Sequence, residues 1–191
     1  MNNDPLVRFD QRVETLLHDR ATSTLTAFFL VVTALGSLET IGLLSLVVSL
    51  ILGMRRQWLY LGTWLAALTG GFVLNQLLKE FFARPRPYFE HPLLLEASYS
   101  FPSSHATMSL ICYGTLAYFC VLALRTWRAR TAVVFGVALL VLLIGFSRMY
   151  LGVHYFSDVV AGFASGGIWL STLITASEIL RRRSKKGTVE N

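Results

Sequence analysis

Charge is the first thing this chain lacks. Charged residues make up 15% of its 191 positions, against about 25% in a typical soluble domain. With a hydrophobic share of 54% and a mean hydropathy of +0.56, this excludes a disordered chain and disfavours an ordinary soluble domain. Fourteen glycines and five prolines exclude a collagen-like one. Cysteine is scarce too. Cys112 and Cys120 lie eight residues apart in one apolar run, about 12 Å along a helix and too far to bridge, so they read as packing residues. The first twenty residues are studded with Asp4, Arg8, Asp10, Arg12, Glu14, Asp19 and Arg20. With no apolar core among them, no cleavable signal peptide is expected.

Long apolar runs are what the chain has instead. A membrane-spanning helix needs about 20 apolar residues. Six runs fall near Ala21–Leu35, Leu38–Met54, Trp58–Leu78, Ser104–Leu124, Thr131–Phe146 and Tyr155–Leu180. They predict an all-α, polytopic membrane helix bundle of six transmembrane helices forming a single domain over 1–191. The first two runs are short and joined by Gly36-Ser37. They are expected to cross separately, although a re-entrant pair would leave everything downstream on the same side.

Ahead of them, residues 1–20 predict a short amphipathic helix. Asp4 is its N-cap and Pro5 its first residue. Leu6, Phe9, Val13, Leu16 and Leu17 recur at helical spacing, the pattern of a helix lying in the membrane interface or packing on the bundle.

The net charge of +6 does not point to nucleic acid, because the cations do not cluster on a solvated domain. With six spans, one side collects Arg8, Arg12, Arg20, Arg55, Arg56, Arg125, Arg128, Arg130 and the tail cations Arg181, Arg182, Arg183, Lys185 and Lys186. The basic tail, 181–191, is a topology anchor at the lipid surface. Thirteen cations there against four opposite place both termini in the cytoplasm by the positive-inside rule. Lys79, Arg84, Arg86 and Arg148 then face outward from a cell (inner) membrane.

Those four carry the chemistry, since a charge near membrane depth is by default functional. Lys79 closes the third run, before Arg84-Pro85-Arg86-Pro87. Pro102-Ser103-Ser104-His105 opens the fourth, and Ser147-Arg148 through His154 and Asp158 precede and open the sixth. Lys79, Arg86 and Arg148 suit a dianion with several oxygens. Ser103 and Ser104 stand at a helix N-terminus, whose free N–H groups favour an anion. His154 and Asp158 are four apart, so the carboxylate can hold one imidazole nitrogen protonated and leave the other to attack. His105 is available as general acid. No carboxylate cluster suits a pair of metals. These parts fit metal-free phosphoryl transfer through a phosphohistidine.

The same residues resemble the signature of the type 2 phosphatidic acid phosphatase (PAP2) superfamily: Lys-x6-Arg-Pro, Pro-Ser-Gly-His and Ser-Arg-x5-His-x3-Asp. Lys79 to Arg86-Pro87 matches the first, Pro102-Ser103-Ser104-His105 nearly matches the second, and Ser147-Arg148 to His154 and Asp158 matches the third. The resemblance implies a six-helix membrane core without a metal or other cofactor. It implies His154 as nucleophile, Asp158 as its orienter and His105 as proton donor to the leaving group. Lys79, Arg86, Ser103 and Arg148 are then phosphate ligands. Ser104 stands where the family usually has glycine. It is either a first-turn helical residue that donates its N–H, or a side chain where close approach or positive φ is needed.

The expected partners are a lipid phosphate substrate and membrane lipids, with no nucleic acid. Undecaprenyl diphosphate, phosphatidylglycerol phosphate and phosphatidic acid are the substrate candidates, and lipid A 1-phosphate is a further one in a Gram-negative source. A lipid phosphotransferase and a non-enzymatic anionic-lipid-binding or transport protein are the alternatives. His18 and His91 lack partners of suitable spacing and read as structural. Arg84 reads equally as a phosphate contact or part of an interfacial turn, and Glu80 as pointing away from the site. Tyr88, Phe89, Leu93, Leu94 and Leu95 make an apolar outward loop, beside the catalytic mouth or simply packed.

Overall fold

The computed structural model describes residues 5–89, 92–94 and 96–187. Seven helices follow in order: α1 (Pro5–Asp19), α2 (Ser23–Ala34), α3 (Leu38–Met54), α4 (Trp58–Phe82), α5 (Ser104–Ala123), α6 (Trp127–Tyr150) and α7 (Phe156–Gly187). No strand occurs among the described residues. Asp4, His91, Leu95 and the side chains of Lys185 and Lys186 lie outside what is described, and with them the expected Asp4 cap.

Helix starts follow local chemistry. Thr22, Ser37, Ser103 and Thr126 each accept, through the side-chain oxygen, the N–H three residues on, which satisfies one orphan donor per helix. α4 stops where Ala83 turns left-handed at φ 41° and donates its N–H to the Lys79 carbonyl. The Arg84-Pro85-Arg86-Pro87 segment cannot continue the helix.

α5 is the central helix and packs against α4, α6 and α7. Trp64, Ala67 and Leu68 of α4 meet Met108, Ile111 and Cys112 of α5 and Ile41 and Leu52 of α3 in one buried cluster. Phe29 and Val32 of α2 join Ile144, Tyr150, Leu151 and Val153 in a second. Gly162 and Gly166 let α7 come close to α5. A Cβ at Gly162 would stand 2.8 Å from the Ser103 carbonyl oxygen, and one at Gly166 3.0 Å from that of Thr107. This small-xxx-small spacing is the membrane route to close helix contact. The outer surface is apolar, with Val31, Leu43, Val73, Leu77, Phe135, Leu142 and Ile168 all exposed, as lipid demands.

Five spans are long and apolar enough to cross a membrane, and the first, Ser23–Met54, takes in both α2 and α3. A bundle of membrane helices is as expected; a sixth separate span is not distinguished among the described residues. α2 has 12 residues, about 18 Å of helix and too short to cross alone. Its contacts keep it in the half of the bundle that holds the motif residues. The Thr22 N–H donates to the Tyr150 hydroxyl at 3.0 Å, and Thr33 accepts from Arg148 at 2.8 Å. α3 then runs beside α4, where the Trp64 indole donates to the Ser45 carbonyl at 3.3 Å. Together the pair forms one candidate span, Ser23–Met54.

α1 docks at the end carrying the 83–103 and 151–155 loops, where Asp10 accepts from the Ser157 N–H at 2.9 Å. The far end of α7 lies opposite, with Ser177 accepting from Thr63 at 3.1 Å and Glu178 accepting from Tyr118 at 2.8 Å. Asp10 of α1 and the Ser177–Glu178 part of α7 therefore lie at opposite ends of the bundle. On α1 the inward-facing residue is polar. Asp10 is its buried residue, while Leu6, Phe9 and Leu16 are exposed.

Candidate active site

Three segments converge at one end of the bundle: the α4 end with its following loop, the α5 start, and the α6–α7 turn. His154 is 2% exposed and Asp158 fully buried. The His154 Nδ1 lies 3.4 Å from Asp158 Oδ2, and Nε2 lies 3.2 Å from Arg86 Nη1. A carboxylate accepts and a guanidinium only donates. The partners therefore assign the proton to Nδ1 and the lone pair to Nε2. Burial pushes the His154 imidazole down to about 3; the Asp158 hydrogen bond opposes this, while the Arg86 and Arg148 charges reinforce it. The ring is neutral at physiological pH.

Asp158 is held from several directions. Its Oδ2 accepts from the Tyr155 N–H at 2.9 Å and from the Ser100 hydroxyl. Its Oδ1 accepts from Arg84 Nη1 at 2.6 Å. Its backbone carbonyl accepts the Ser103 N–H at 3.0 Å, which ties the first turn of α7 to the start of α5 across the Gly162 contact.

The cations form the rest of the cradle. Lys79 is buried and donates to the Tyr99 carbonyl. Arg86 is clamped by the Ser98 carbonyl at 2.6 Å and the Val153 carbonyl at 2.7 Å. Burial holds its guanidinium below its usual range. Arg148, 1% exposed, donates to Glu96 at 2.5 Å and to Thr33 at 2.8 Å, and its Nε is buried without a partner. His105 lies within electrostatic reach of Arg148, His154, Arg86 and Lys79. Its ring edge lies 3.1 Å from where a Gly36 Cβ would be, so the turn joining α2 to α3 closes over it.

Ser103 and Ser104 divide the work at the α5 start. Ser103 is the N-cap, and its Oγ accepts the Ala106 N–H at 3.5 Å. Ser104 is the first helical residue and is not among the positive-φ positions. Its hydroxyl donates to Asn75 Oδ1 at 2.7 Å, so its side chain is used on α4. What it can offer an anion is its N–H, which with that of His105 has no intrahelical acceptor.

The structure brings together Lys79, Arg86, Ser103, Ser104, His105, Arg148, His154 and Asp158, all read from the sequence. Arg84 resolves to a brace on Asp158. His18 stacks on Phe89 with centroids 3.9 Å apart, and Glu80 is exposed. Sequence reasoning missed Ser100, Glu96, Thr33, Asn75 and Asp10. None stands at a spacing that local structure would reveal, and Asp10 is 147 residues from Ser157, its partner.

Fold and site together define a multi-pass membrane protein with a histidine–aspartate pair in a buried cationic cradle. The chain belongs to the PAP2 superfamily, whose model matches residues 57–182. It is 42% identical over 95 residues to phosphatidylglycerophosphatase B of Bacillus subtilis, covering 49% of this chain and 46% of that protein. It is 31% identical over 119 residues to lipid phosphate phosphatase delta of Arabidopsis thaliana, covering 56% and 28%. The chain thus spans less than half the length of these two relatives. The crystal structure of a transmembrane PAP2 type phosphatidylglycerolphosphate phosphatase from Bacillus subtilis superposes with a TM-score of 0.84 at 28% identity, over 92% of this chain and 88% of that one. LpxE of Aquifex aeolicus shares the fold, with a TM-score of 0.68 at 24% identity over 86% and 94%.

Proposed function

We propose that this protein is a membrane lipid phosphate phosphatase working through a phosphohistidine on His154. The observation that carries this reading is the His154 ring, whose Nδ1 faces Asp158 and whose Nε2 faces the Arg86 cation. Nε2 attacks phosphorus in line, and the bond from phosphorus to the lipid oxygen breaks as His105 gives that oxygen its proton. Asp158 stabilises the charge gained by the His154 ring. Water then attacks the phosphohistidine, passes a proton to His105 and releases phosphate. Lys79, Arg86, Arg148 and the N–H groups at the α5 start hold the equatorial oxygens, the electrostatic positioning on which phosphoryl transfer depends. Charge stabilisation comes from side chains, so the reaction needs no metal and EDTA leaves it unchanged.

The substrate we favour is phosphatidylglycerol phosphate, the compound named for the Bacillus relatives. Undecaprenyl diphosphate is the second reading. The short loops support both, since recognition then stops at phosphate and an apolar tail. With five crossings, ten of the 17 cations fall at the end opposite the site. Of the seven at the site end, Lys79, Arg84, Arg86 and Arg148 belong to the site cluster. The positive-inside rule still favours a site outside the cytoplasm.

Phosphate release from purified protein in detergent tests the reading, with glycerophospholipid phosphates, prenyl diphosphates and a soluble ester compared with and without EDTA. Release from a lipid phosphate, with an acid-labile 31P phosphohistidine trapped on wild type and absent in His154→Ala, is expected. Transfer to a second lipid without free phosphate selects a phosphotransferase, and binding without turnover a non-enzymatic role.

A further inference from the structure

α1 lies outside the region that matches the family model, yet it places a carboxylate at the heart of the site. Asp10 is 1% exposed. Its Oδ1 accepts the Ser157 N–H at 2.9 Å and its Oδ2 the Ser157 hydroxyl at 2.5 Å. The same Oδ2 accepts from Arg84 Nη2 at 2.9 Å. Arg84 spends its other terminal nitrogen on Asp158 Oδ1 at 2.6 Å and on Ser157 Oγ at 2.7 Å. Its guanidinium carbon stands 4.2 Å from the centre of the Tyr155 ring. Burial works against the Arg84 charge, but the two aspartates raise it overall.

One guanidinium therefore spans two carboxylates, and a fork of fixed shape can do this in few orientations. Asp10 sets which one. With Nη2 held on α1, Nη1 is aimed at Asp158 Oδ1. That leaves Oδ2 to face the His154 Nδ1. Asp10 also satisfies the Ser157 N–H in the first turn of α7, a donor with no intrahelical acceptor.

We infer that Asp10 is a positioning residue for the nucleophile, acting from the N-terminal helix through Arg84 and Asp158 on His154. It touches neither substrate nor reacting atoms. On this view α1 is a working part of the catalytic apparatus, and the site is incomplete without it.

The inference rests on the phosphatase reading, and the test separates the two. Phosphate release by the full chain in detergent is measured for wild type, Asp10→Asn, Arg84→Lys and the double variant. Each rate is divided by the amount of folded protein, read as the monodisperse fraction in detergent. Asp10→Asn is expected to lower kcat by about ten- to a hundredfold, the worth of a hydrogen bond between charged groups. KM stays within about threefold, because the phosphate ligands are untouched. Arg84→Lys keeps the charge but cannot bridge two carboxylates, and has a similar effect. Because the two act in series, Asp10→Asn costs less than about twofold further in the Arg84→Lys background. Gln11→Ala, on the exposed face of α1, leaves the rate unchanged.

Unchanged kcat in Asp10→Asn, or losses that multiply in the double variant, overturns the inference. So does a lowered melting temperature with normal turnover per folded molecule, which would make Asp10 a stabilising contact alone. If Asp10→Asn cannot be recovered folded, Arg84→Lys with normal kcat overturns it equally. A wild-type protein that releases no phosphate overturns the phosphatase reading instead.

Discussion

His154 sits between a carboxylate and a guanidinium, and its two nitrogens are assigned by what each neighbour is able to do. Its value, pushed down from 6.5 to about 3 by burial, means that it binds no proton across the usual acid range while the unfolded chain does. The stability it contributes is therefore fully present above about pH 6.5 and is lost as pH falls toward 3. Nitrogen-15 spectra of the histidine rings at pH 5 should show one neutral ring protonated at Nδ1, absent in His154→Ala. A midpoint near 6.5 for that ring would refute the assignment. His154→Ala should abolish turnover with the protein still folded. Asp158→Asn should cut kcat by a thousandfold or more, the upper range for an oriented base being about 10^4, with substrate still bound. Nearly all of this machinery is legible in the sequence, because a four-residue step on one helix face and an Arg-Pro pair after an apolar run encode local geometry directly. Arg84 is not, since two residues of a turn can project either way until Asp158 and Asp10 are seen to flank it.

At the scale of elements, the approach of α7 to α5 decides whether Ser103 and Asp158 meet. Gly162→Ala would put a Cβ 2.8 Å from the Ser103 carbonyl oxygen and 2.9 Å from Ala106 Cβ. A loss of about 1–3 kcal/mol is expected, together with reduced turnover, read from thermal unfolding and assay of the same preparation. An unchanged melting temperature would show that the two helices have room to part. The loop from α4 to α5 carries Glu96, whose carboxylate holds the Arg148 guanidinium that the proposed mechanism gives to the phosphate. Glu96→Gln should tighten inhibition by inorganic phosphate at constant ionic strength, and an unaltered inhibition constant would show that the pair opens at no cost. α1 has its own pH dependence. Burial first, and the Asp10 charge second, raise Glu14 from 4.5 to about 7. The docked helix thus favours the protonated acid. Its docking is strongest below about pH 4.5 and weakens as pH rises through 7. Hydrogen exchange in α1, corrected for intrinsic rates, should be faster at pH 8 than at pH 5 in wild type and level in Glu14→Gln.

For the whole molecule, a single broken crossing by α2 and α3 would put Gln11 and Arg128 on opposite sides of the membrane. In a protein without Cys112 and Cys120, a cysteine replacing Gln11 should react with an impermeant reagent from the same side as one replacing Tyr88. A cysteine replacing Arg128 should react from the other side. Gln11 and Arg128 reacting together would restore the six-span topology. The apolar runs, the helix starts and the motif cluster at one end follow from the sequence alone, because each depends on near neighbours and on the length a helix needs to cross lipid. Tertiary structure decided where the two short apolar runs sit in the bundle, since only their contacts with Arg148, Tyr150 and Trp64 show what each packs on. It also decided that an amphipathic helix turns Asp10 inward. Composition measures how polar a face is, but a carboxylate is buried only where distant donors, here Arg84 and Ser157, already wait to receive it.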